Sequence, residues 1–462
     1  MSQIEIMTTA SLGDTSYLLV SGDEAAVVDP QRDSWEMLAA CASRGVRIRY
    51  SLETHVHNDY LSGALEVRAA TGATIAGPAR APYAFEHLGL AEDDEIRVGD
   101  VTLRAMETPG HTAEHTAYLV YEDGNGGNAG DRDGYRDRAG PAPSAVFTGG
   151  SLLVGTAGRT DLSGASHTEE LARAQYRSLR RLALLPDTTR VLPTHGAGSS
   201  CSAGPAATER TTTVGAERHG NPALTARDEE HFVRDRLGLP PYPAYYHYMA
   251  PVNRSGPPVL GGPPAPRPLS PTVVEGLAGG GAQVVDARDR AAFAAGHLPG
   301  SVWDELDDRF AGLVAEVVPF GARLVLVLPE PAEEAWYEAV RQLLRIGYEN
   351  VAGHLAGGTD AWAAAGRPLR SFRTADASEL AGRLTELRVL DVRPERPEGG
   401  IPGTRAIRLA DLPRRLGDLP RDREIWTVCG SGRRATIAAS LLDRAGIPVT
   451  AVTRGGVRDL PR

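Results

Sequence analysis

Short apolar runs alternate with turn residues along the first 122 residues of the chain. The runs AAVVDP, RIRYSLET, ATIAGP, VTLRAMETPG and TAYLVYEDG are typical of β-strands that end at Gly, Pro or Asp. After AVFTGG, a further strand-like run, HTEELARAQYRSLRRLALL places apolar residues at helical spacing. RVLPTHG adds one more strand, and a helical, aromatic segment follows. We therefore predict an α/β domain with a helical extension over residues 1–250.

Two stretches interrupt the periodic pattern. GNGGNAGDRDGYRDRAGPAPS, at about residues 123–143, has no periodic apolar face, so we predict a mobile surface insertion. RSGPPVLGGPPAPRPLSP is dense in Pro and Gly and predicts a linker over residues 251–268.

Beyond the linker, a strand and helix pattern occurs twice. AQVVDAR, RLVLVLP and AEEAWYEAVRQLLRIGY form the first copy, and RVLDVRPE, EIWTVCGSG and RATIAASLLDRAG form the second. Each copy spans roughly 90 residues, so we predict a tandem pair of small α/β domains over residues 269–372 and 373–462.

Composition narrows the classes of function. A chain of 462 residues is long enough for about three domains of roughly 150 residues each. The net charge of −10 without a basic block argues against nucleic acid and anionic membranes as main partners. There is no apolar run long enough for a transmembrane helix and no signal-peptide pattern at the N-terminus, so we expect a cytoplasmic protein. An assembly of identical subunits is compatible with these features.

The three cysteines are too few and too scattered for a disulfide framework, which fits a reducing compartment. Cys41 lies in the helical run LAACASRG and is expected in the core. Cys201 lies in a Ser/Gly-rich loop without an evident basic partner, and we expect a structural role for it rather than a reactive thiol.

Histidines and one aspartate follow the ends of several strand-like runs. His55, His57 and Asp59 stand in ETHVHNDYLSG, where an extended chain would point alternate side chains to one face. His111 stands in ETPGHTAEHT, and His195 in VLPTHG. Such clustering predicts a metal site. The alternative is that these histidines cap backbone groups at strand ends.

These motifs resemble the metallo-β-lactamase superfamily over about residues 5–200, and FTGGSLLVGTAGRTDL and VLPTHGAGSSCSAG are most similar to its persulfide dioxygenases. The resemblance implies an αββα sandwich with one non-haem iron on two histidines and an aspartate, which would be His55, His111 and residue 150. Two positions depart from the pattern. Gly150 stands where the family has the aspartate, and Tyr60 replaces the last His of H-x-H-x-D-H.

The departures argue against a two-metal hydrolase, which needs a bridging carboxylate and further ligands on the second metal. The predicted metal ligands are therefore His55, His57 and His111. Three imidazoles suit Fe²⁺ or, alternatively, Zn²⁺. Asp59 and His195 would surround this set or mark a vestigial second site. A water, Asp161 or His57 are the candidates for the vacant carboxylate position.

The resemblance also implies a reaction. A persulfide of glutathione or of another low-molecular-weight thiol would meet O₂ at the iron, and sulfite would leave. Arg159 in GRTDL is expected to bind the carboxylate of the thiol bidentately. Its alternative role is a structural ion pair with Asp161.

The segment WTVCGSGRRATIAASLL places Cys429 between an apolar strand and a helix. Inward N–H groups of a Gly-rich loop, the helix N-terminus and two arginines would lower the pKa of the thiol and hold a persulfide anion. We therefore predict that Cys429 is a nucleophile; the alternative is a buried residue at a strand end. The predicted persulfide-binding loop consists of Gly430, Ser431, Gly432, Arg433 and Arg434.

This loop resembles the C-x-x-G-x-R loop of rhodaneses, with Cys429, Gly432 and Arg434 at the family positions. The preceding domain has the same frame but carries Pro329 and Glu330 in VLPEPAEEAW instead of a cysteine. It resembles an inactive rhodanese domain that is kept for packing or for shaping a shared cleft.

Together, the resemblances predict an α/β chain with an N-terminal αββα metallo-β-lactamase sandwich followed by two rhodanese-like α/β domains. They imply a persulfide dioxygenase and sulfurtransferase in sulfide detoxification, with sulfite and thiosulfate as products. Two alternatives remain open. One is a thioester hydrolase of the glyoxalase II type, and the other is a sulfurtransferase whose metal domain is degenerate.

Overall fold

The computed structural model describes residues 2–122, 142–204, 207–394, 401 and 403–460. The predicted insertion lies outside these residues except for its last two positions, 142 and 143. The chain divides into two compact units, Met1–Pro263 (unit 1) and Pro264–Arg462 (unit 2), so the division falls within the predicted linker. No helix in the described ranges is both long and apolar enough to cross a membrane.

Unit 1 is built largely from strands. They are β1 (Gln3–Thr9), β2 (Asp14–Ser21), β3 (Glu24–Val28), β4 (Arg47–Leu52), β5 (Thr74–Pro78), β6 (Leu88–Leu90), β7 (Glu95–Val98), β8 (Val101–Glu107), β9 (Thr116–Glu122), β10 (Ala145–Gly149), β11 (Leu152–Leu153), β12 (Thr156–Ala157), β13 (Arg190–Pro193) and β14 (Thr212–Thr213). Its helices are α1 (Trp35–Ser43), α2 (Ala64–Thr71), α3 (Thr168–Leu182), α4 (Val214–Gly220), α5 (Pro222–Thr225), α6 (Glu229–Arg236) and α7 (Tyr246–Ser255). One sheet has the order β1-β2-β3-β4-β5-β6, a second has the order β14-β13-β10-β9-β8-β7, and β11 pairs with β12.

Side-chain alternation explains why these sheets stack. In β2, Tyr17 and Leu19 point into a core shared with Tyr118 and Phe147 of the other sheet. The intervening Leu18 and Val20 belong to a separate core with residues of α1 and α2. On the far side, residues of α3 pack against β8, β9, β10 and β13. Because both faces of each sheet are covered, the layers run helix, sheet, sheet, helix, which is the αββα sandwich expected from the resemblance.

Unit 2 has two parallel sheets. Its strands are β15 (Pro268–Leu269), β16 (Gln283–Asp286), β17 (Val302–Trp303), β18 (Leu324–Val327), β19 (Val351–Leu355), β20 (Arg373–Asp376), β21 (Arg388–Asp391), β22 (Arg405–Ala406), β23 (Ile425–Val428) and β24 (Val449–Arg454). Its α-helices are α8 (Pro271–Gly279), α9 (Arg290–Ala295), α10 (Phe310–Val317), α11 (Ala332–Arg345), α12 (Gly358–Ala364), α13 (Ala377–Ala381), α14 (Leu412–Arg415) and α15 (Arg433–Arg444), and short 3-10 helices span Leu409–Asp411, Leu416–Asp418 and Val457–Asp459.

The two sheets of unit 2 have the same topology. Their strand orders are β15-β19-β18-β16-β17 and β20-β24-β23-β21-β22, so each follows the scheme 1-5-4-2-3. All neighbouring strands are parallel. The internal repeat predicted from the sequence is therefore a duplication of one α/β domain. Strand β18 leads to α11 in the first copy at the point where β23 leads to α15 in the second.

Candidate functional site

Three buried histidines of unit 1 converge from three loops. His55 follows β4, His111 lies between β8 and β9, and His195 follows β13. One ring nitrogen from each lies within 4.8 Å of the other two, and none of the three rings is exposed to solvent. The cluster thus brings together residues that are up to 140 positions apart in the sequence.

Hydrogen bonds orient these rings. His111 donates from Nδ1 to the carbonyl oxygen of Arg159 at 2.8 Å, and its Nε2 has no partner among the described residues. The Thr54 hydroxyl donates to Asp29 at 2.8 Å, so it accepts from His55 Nδ1, also at 2.8 Å. In each ring the proton is therefore on Nδ1, and the unprotonated Nε2 points towards the cluster. Histidine ligands of metals are usually held in this way. Burial lowers the pKa of both rings well below the ordinary value, and both are neutral.

His195 completes the cluster from the other side. Its Nδ1 lies 2.9 Å from Asp14 Oδ1 and 3.2 Å from Asp59 Oδ2, while its Nε2 lies 3.4 Å from His55 Nε2. Against the effect of burial, Asp59 and Asp14 raise the pKa of His195 to about 10. A metal ion at Nε2 would replace the proton on that nitrogen. The three imidazoles fit a metal ion such as Fe²⁺ or Zn²⁺.

His57 lies outside the set of His55, His111 and His195, but it belongs to two further sets whose ligand atoms are equally close, one with Asp29 and His55 and one with Asp59 and His195. Its Nε2 lies 3.3 Å from Asp29 and 3.2 Å from Glu53. Among the described residues, no group whose ligand atoms lie close enough to share a metal ion contains both His57 and His111. Although burial would lower it, the pKa of His57 is raised well above its ordinary value by the two carboxylates. Residues 53–61 form a loop rather than a strand, so the alternation assumed for this segment does not apply.

Tyr60, which stands where the family has a histidine, packs against His57. Its ring stacks on His57 with centroids 4.3 Å apart, and its hydroxyl lies 3.0 Å from His57 Nε2. The same hydroxyl donates to the carbonyl oxygen of Asp29 at 3.3 Å. The ring that replaces the family histidine therefore contacts His57 at Nε2, whereas Nδ1 of His57 has no hydrogen-bond partner among the described residues.

The position of the missing carboxylate is filled as well. A Cβ atom at Gly150 would lie 2.1 Å from His111 Cδ2, so the His111 ring takes the space that any side chain there would need. Asp161, one of the candidates for this vacancy, instead holds Arg159 through two hydrogen bonds of 2.6 and 2.8 Å. A three-imidazole set stands in place of two imidazoles and a carboxylate.

His115 is a part of the site that the sequence reading missed. It accepts from the Gly150 N–H at Nε2 over 2.9 Å, and its Nδ1 lies 2.8 Å from the Thr108 hydroxyl. Its ring stacks on His55 with centroids 5.0 Å apart. The signal was the second histidine of TPGHTAEHT, four residues after His111.

A polar cavity of about 320 Å³ adjoins the loops that carry His55 and His111. Its lining residues include Val56, Asn58, Thr112, Glu114, His167, Tyr242, Tyr246, His247 and Arg254. Arg254, His167 and His247 are exposed there and offer positive or protonatable groups. The cavity has the size to admit a small ligand, and its lining includes one guanidinium, Arg254, and one carboxyl group, Glu114.

Arg159 does not line this cavity, which corrects its predicted role as the substrate-binding residue. Besides the bonds to Asp161, it donates to the carbonyl oxygens of Ser200 and Pro240 at 3.0 and 2.8 Å. Its guanidinium lies 4.7 Å from the ring of Tyr242, a cavity residue. Arg159 therefore supports a wall of the cavity from behind.

The two cysteines other than Cys429 are buried. Cys201 is inaccessible to solvent, and burial raises the pKa of its thiol well above the ordinary value. Cys41 packs in the core between α1 and the first sheet. Both are placed as inert thiols.

In unit 2, Cys429 lies directly after β23, and three residues separate it from α15. Its thiol side chain is 3% exposed, and its carbonyl oxygen accepts from Val457 at 3.0 Å. Within the described residues, the N–H groups of Gly430, Ser431 and Gly432 donate to no acceptor. They are therefore available to an anion at the loop.

The two arginines of the loop are less available than predicted. Arg433 is 4% exposed and is held by Asp304 at 2.7 and 2.9 Å, by Asp307, and by the carbonyl oxygen of Glu305 at 2.7 Å. These partners come from the cysteine-less domain. Arg433 therefore joins the two domains instead of contacting bound sulfur. Arg434 lies 3.7 Å from Glu316, which also belongs to the cysteine-less domain, and is partly exposed.

The equivalent loop of the cysteine-less domain fills its own anion site. Glu330 accepts from the N–H of Ala332 at 3.1 Å, at the start of α11. A carboxylate thus occupies the helix end that would otherwise favour a thiolate. Asp286 and His297 also have structural partners, since Asp286 pairs with Arg288 at 2.6 Å and His297 stacks on Phe293.

Comparisons with known proteins agree with this division. The rhodanese-like domain family matches residues 270–365 and 376–460. The hydroxyacylglutathione hydrolase of Cereibacter sphaeroides is 34% identical over 197 residues, which are 42% of this chain and 66% of that protein. The hydroxyacylglutathione hydrolase of Rhodospirillum rubrum is 32% identical over 200 residues, 42% of this chain and 67% of that protein. The chain spans just under two thirds of the length of the first relative.

One solved structure covers both units. A metallo-β-lactamase from Staphylococcus aureus superposes on 77% of this chain and 98% of its own length, with a TM-score of 0.65 and 24% identity. At that identity the similarity concerns the fold alone.

Proposed function

Because the chain belongs to the metallo-β-lactamase superfamily and carries two rhodanese-like domains, we propose that it is a persulfide dioxygenase joined to a sulfurtransferase. Unit 1 would oxidise the persulfide of glutathione or of a similar thiol with O₂, and Cys429 of unit 2 would carry sulfane sulfur, in sulfide detoxification. The observation that carries the proposal is the cluster of His55, His111 and His195, beside which Tyr60 stands in place of an imidazole that a second metal would need. That arrangement favours a mononuclear centre over a two-metal hydrolase.

The oxidation balances without a further reductant. One persulfide, one O₂ and one water give one thiol, one sulfite dianion and two protons, and four electrons pass from the outer sulfur to O₂. Iron bound by His55, His111 and His195 would supply the redox chemistry that this requires. The protein holds His55 and His111 neutral and excludes water from all three rings by burial.

The cavity beside the cluster suits an anionic thiol. Arg254 and His247 stand where they could bind the carboxylates of glutathione, and Tyr242 and Tyr246 form an aromatic wall. Arg159 fixes this wall through its contact with Tyr242. Substrate binding is therefore assigned to the cavity residues and not to Arg159.

Sulfur transfer needs a nucleophilic thiolate and a stabilised anion. The Cys429 thiolate would attack the outer sulfur of a persulfide, the S–S bond would break, and the thiol would leave with the electron pair. Sulfite would then attack the outer sulfur of the Cys429 persulfide, so that thiosulfate forms and the Cys429 thiolate is restored. The free N–H groups of the loop would hold the sulfur anion during both steps.

Oxygen uptake tests the first half. Protein loaded anaerobically with Fe²⁺ is mixed with glutathione persulfide, and O₂ and sulfite are measured. The proposal predicts uptake that His55→Ala abolishes and Cys429→Ser leaves intact, while Cys429→Ser abolishes sulfur transfer from thiosulfate to cyanide. Sulfur transfer without any oxygen uptake would leave a sulfurtransferase with a degenerate metal domain.

The similarity to hydroxyacylglutathione hydrolases favours thioester hydrolysis as a second candidate. Its test is the hydrolysis of S-lactoylglutathione by the Zn²⁺-loaded protein. We expect little activity, because Tyr60 and Gly150 remove two of the ligands that a two-metal site needs. Rapid hydrolysis together with absent oxygen uptake would replace the dioxygenase assignment.

A further inference from the structure

The cysteine-less domain of unit 2 sends one side chain into the loop of Cys429. Arg290, the first residue of α9, donates from Nη1 to the carbonyl oxygen of Ser431 at 3.1 Å and to that of Thr453 at 2.7 Å. Asp289 caps α9 by accepting from two of its N–H groups at 3.0 and 2.9 Å, which fixes the point from which Arg290 extends.

The contact with Ser431 determines how the loop presents its N–H groups. The Ser431 carbonyl and the Gly432 N–H belong to one planar trans peptide and point in opposite directions. Since Arg290 holds the carbonyl, the Gly432 N–H faces the opposite side of the loop, where it has no acceptor among the described residues. Arg290 thus keeps a donor available for an anion.

Gly432 and Arg290 fit each other closely. Gly432 has a φ of +83°, and a Cβ atom there would lie 2.7 Å from Arg290 Nη1 and 2.5 Å from the Thr453 carbonyl oxygen. The family glycine of the loop is therefore required both by its backbone conformation and by the approach of Arg290.

Charge gives Arg290 a second effect. Arg433 and Arg434 are paired with carboxylates of the cysteine-less domain, whereas Arg290 forms no ion pair with any described residue. Its other neighbour is the ring of Trp303, 5.9 Å from the guanidinium carbon. The cysteine-less domain thus supplies the Cys429 loop with a cation that is not paired with a carboxylate of the described residues.

We propose that Arg290 is a positioning residue of the Cys429 site: it holds the Ser431 carbonyl so that the Gly432 N–H stays free, and its unpaired charge favours a sulfur anion. This inference rests on the proposed sulfurtransferase role of Cys429. It gives the cysteine-less domain a part in sulfur transfer, since that domain completes the site of its partner domain.

The test compares Arg290→Met, Arg290→Lys and Arg290→Gln with Arg367→Met in the full chain. Arg367 lies in the same domain but pairs with Glu275 at 2.9 Å and does not contact the loop. Sulfur transfer from thiosulfate to cyanide gives kcat and KM, and mass spectrometry follows the alkylation of Cys429 by iodoacetamide against pH. Tryptophan fluorescence in urea checks the fold of each variant.

We expect Arg290→Met to lower kcat/KM by about 10- to 100-fold, as for loss of an anion-binding donor, and Arg367→Met to leave it unchanged. Alkylation of Cys429 should be slower in Arg290→Met than in Arg367→Met, because a cation beside the loop is lost. Arg290→Lys should keep the profile and recover part of the activity.

Two results would overturn the inference. One is that Arg290→Met matches Arg367→Met in both kcat/KM and the alkylation profile. The other, decisive if Arg290→Met does not fold, is an Arg290→Gln variant that folds and keeps the full wild-type kcat/KM, since glutamine carries no charge. A wild-type chain that transfers no sulfur would instead refute the proposed function of Cys429. Failure of the proposed function can therefore be distinguished from failure of the inference about Arg290.

Discussion

Removal of the Arg433 side chain tests whether the two domains of unit 2 depend on a buried charge pair. In Arg433→Met, Asp304 loses a bidentate partner although its own side chain is only 1% exposed. An unpaired buried charge costs about 3–5 kcal/mol of the free energy of unfolding. Asp307, which is 43% exposed, is screened by solvent and adds less than about 1 kcal/mol.

The assay is urea unfolding followed by tryptophan fluorescence. It reports mainly on unit 2, because four of the five tryptophans lie there: Trp303, Trp336, Trp362 and Trp426. With a urea dependence of about 2 kcal/mol per M, the midpoint should fall by roughly 1.5–2.5 M.

Arg415→Met is the matched control, since Arg415 pairs with Asp418 at 3.0 Å on the surface. Its midpoint should move by less than about 0.5 M. An equally small shift for Arg433→Met would refute the reasoning, because Asp304 would then be either solvated or neutral in the folded chain.

Three further outcomes are expected. His195→Ala should lower the affinity for Fe²⁺ at least tenfold, and more than His57→Gln does, in equilibrium dialysis followed by metal analysis. Against the effect of burial, the hydrogen bonds with His297 and Arg370 lower the pKa of Asp443, so its contribution to stability is present above about pH 4 and is lost as pH falls through the lowered pKa. The urea midpoint should therefore drop more between pH 5 and pH 2 in the wild type than in Asp443→Asn. Gly150→Ala should weaken metal binding by displacing the neighbouring histidine ring, whereas Gly220→Ala, which meets no atom within 4 Å, should not.

The sequence was informative where local spacing determines the structure. Apolar alternation predicted the strands that stack into the sandwich, and the repeated strand and helix pattern predicted the duplicated domain of unit 2. The loop around Cys429 was predicted for the same reason, because its glycines and the following helix are neighbours in the chain. The histidines were found because each follows the end of a strand.

The sequence did not predict side-chain contacts between residues that are distant in the chain. His57 is held by Asp29, 28 residues earlier, and Arg433 by Asp304, 129 residues earlier. The residue types gave no sign of these pairings, since a histidine in H-x-H-x-D can equally face a metal. The sequence suggested only Asp161 as a structural partner of Arg159. The hydrogen bond of Arg159 to the carbonyl oxygen of Pro240, 81 residues away, explains why Arg159 supports the cavity instead of lining it.

The glycine at 150 and the position of the His111 ring are one structural change. A side chain at 150 cannot coexist with the ring, because even a Cβ atom would overlap it at 2.1 Å. The ring is held there by its bond to the Arg159 carbonyl, which Asp161 stabilises in turn by fixing the guanidinium of the same residue. Restoring an aspartate at 150 alone would therefore displace a ligand rather than add one. The three-imidazole set is consequently a coherent alternative to the family's ligand set and not merely that set with one member missing.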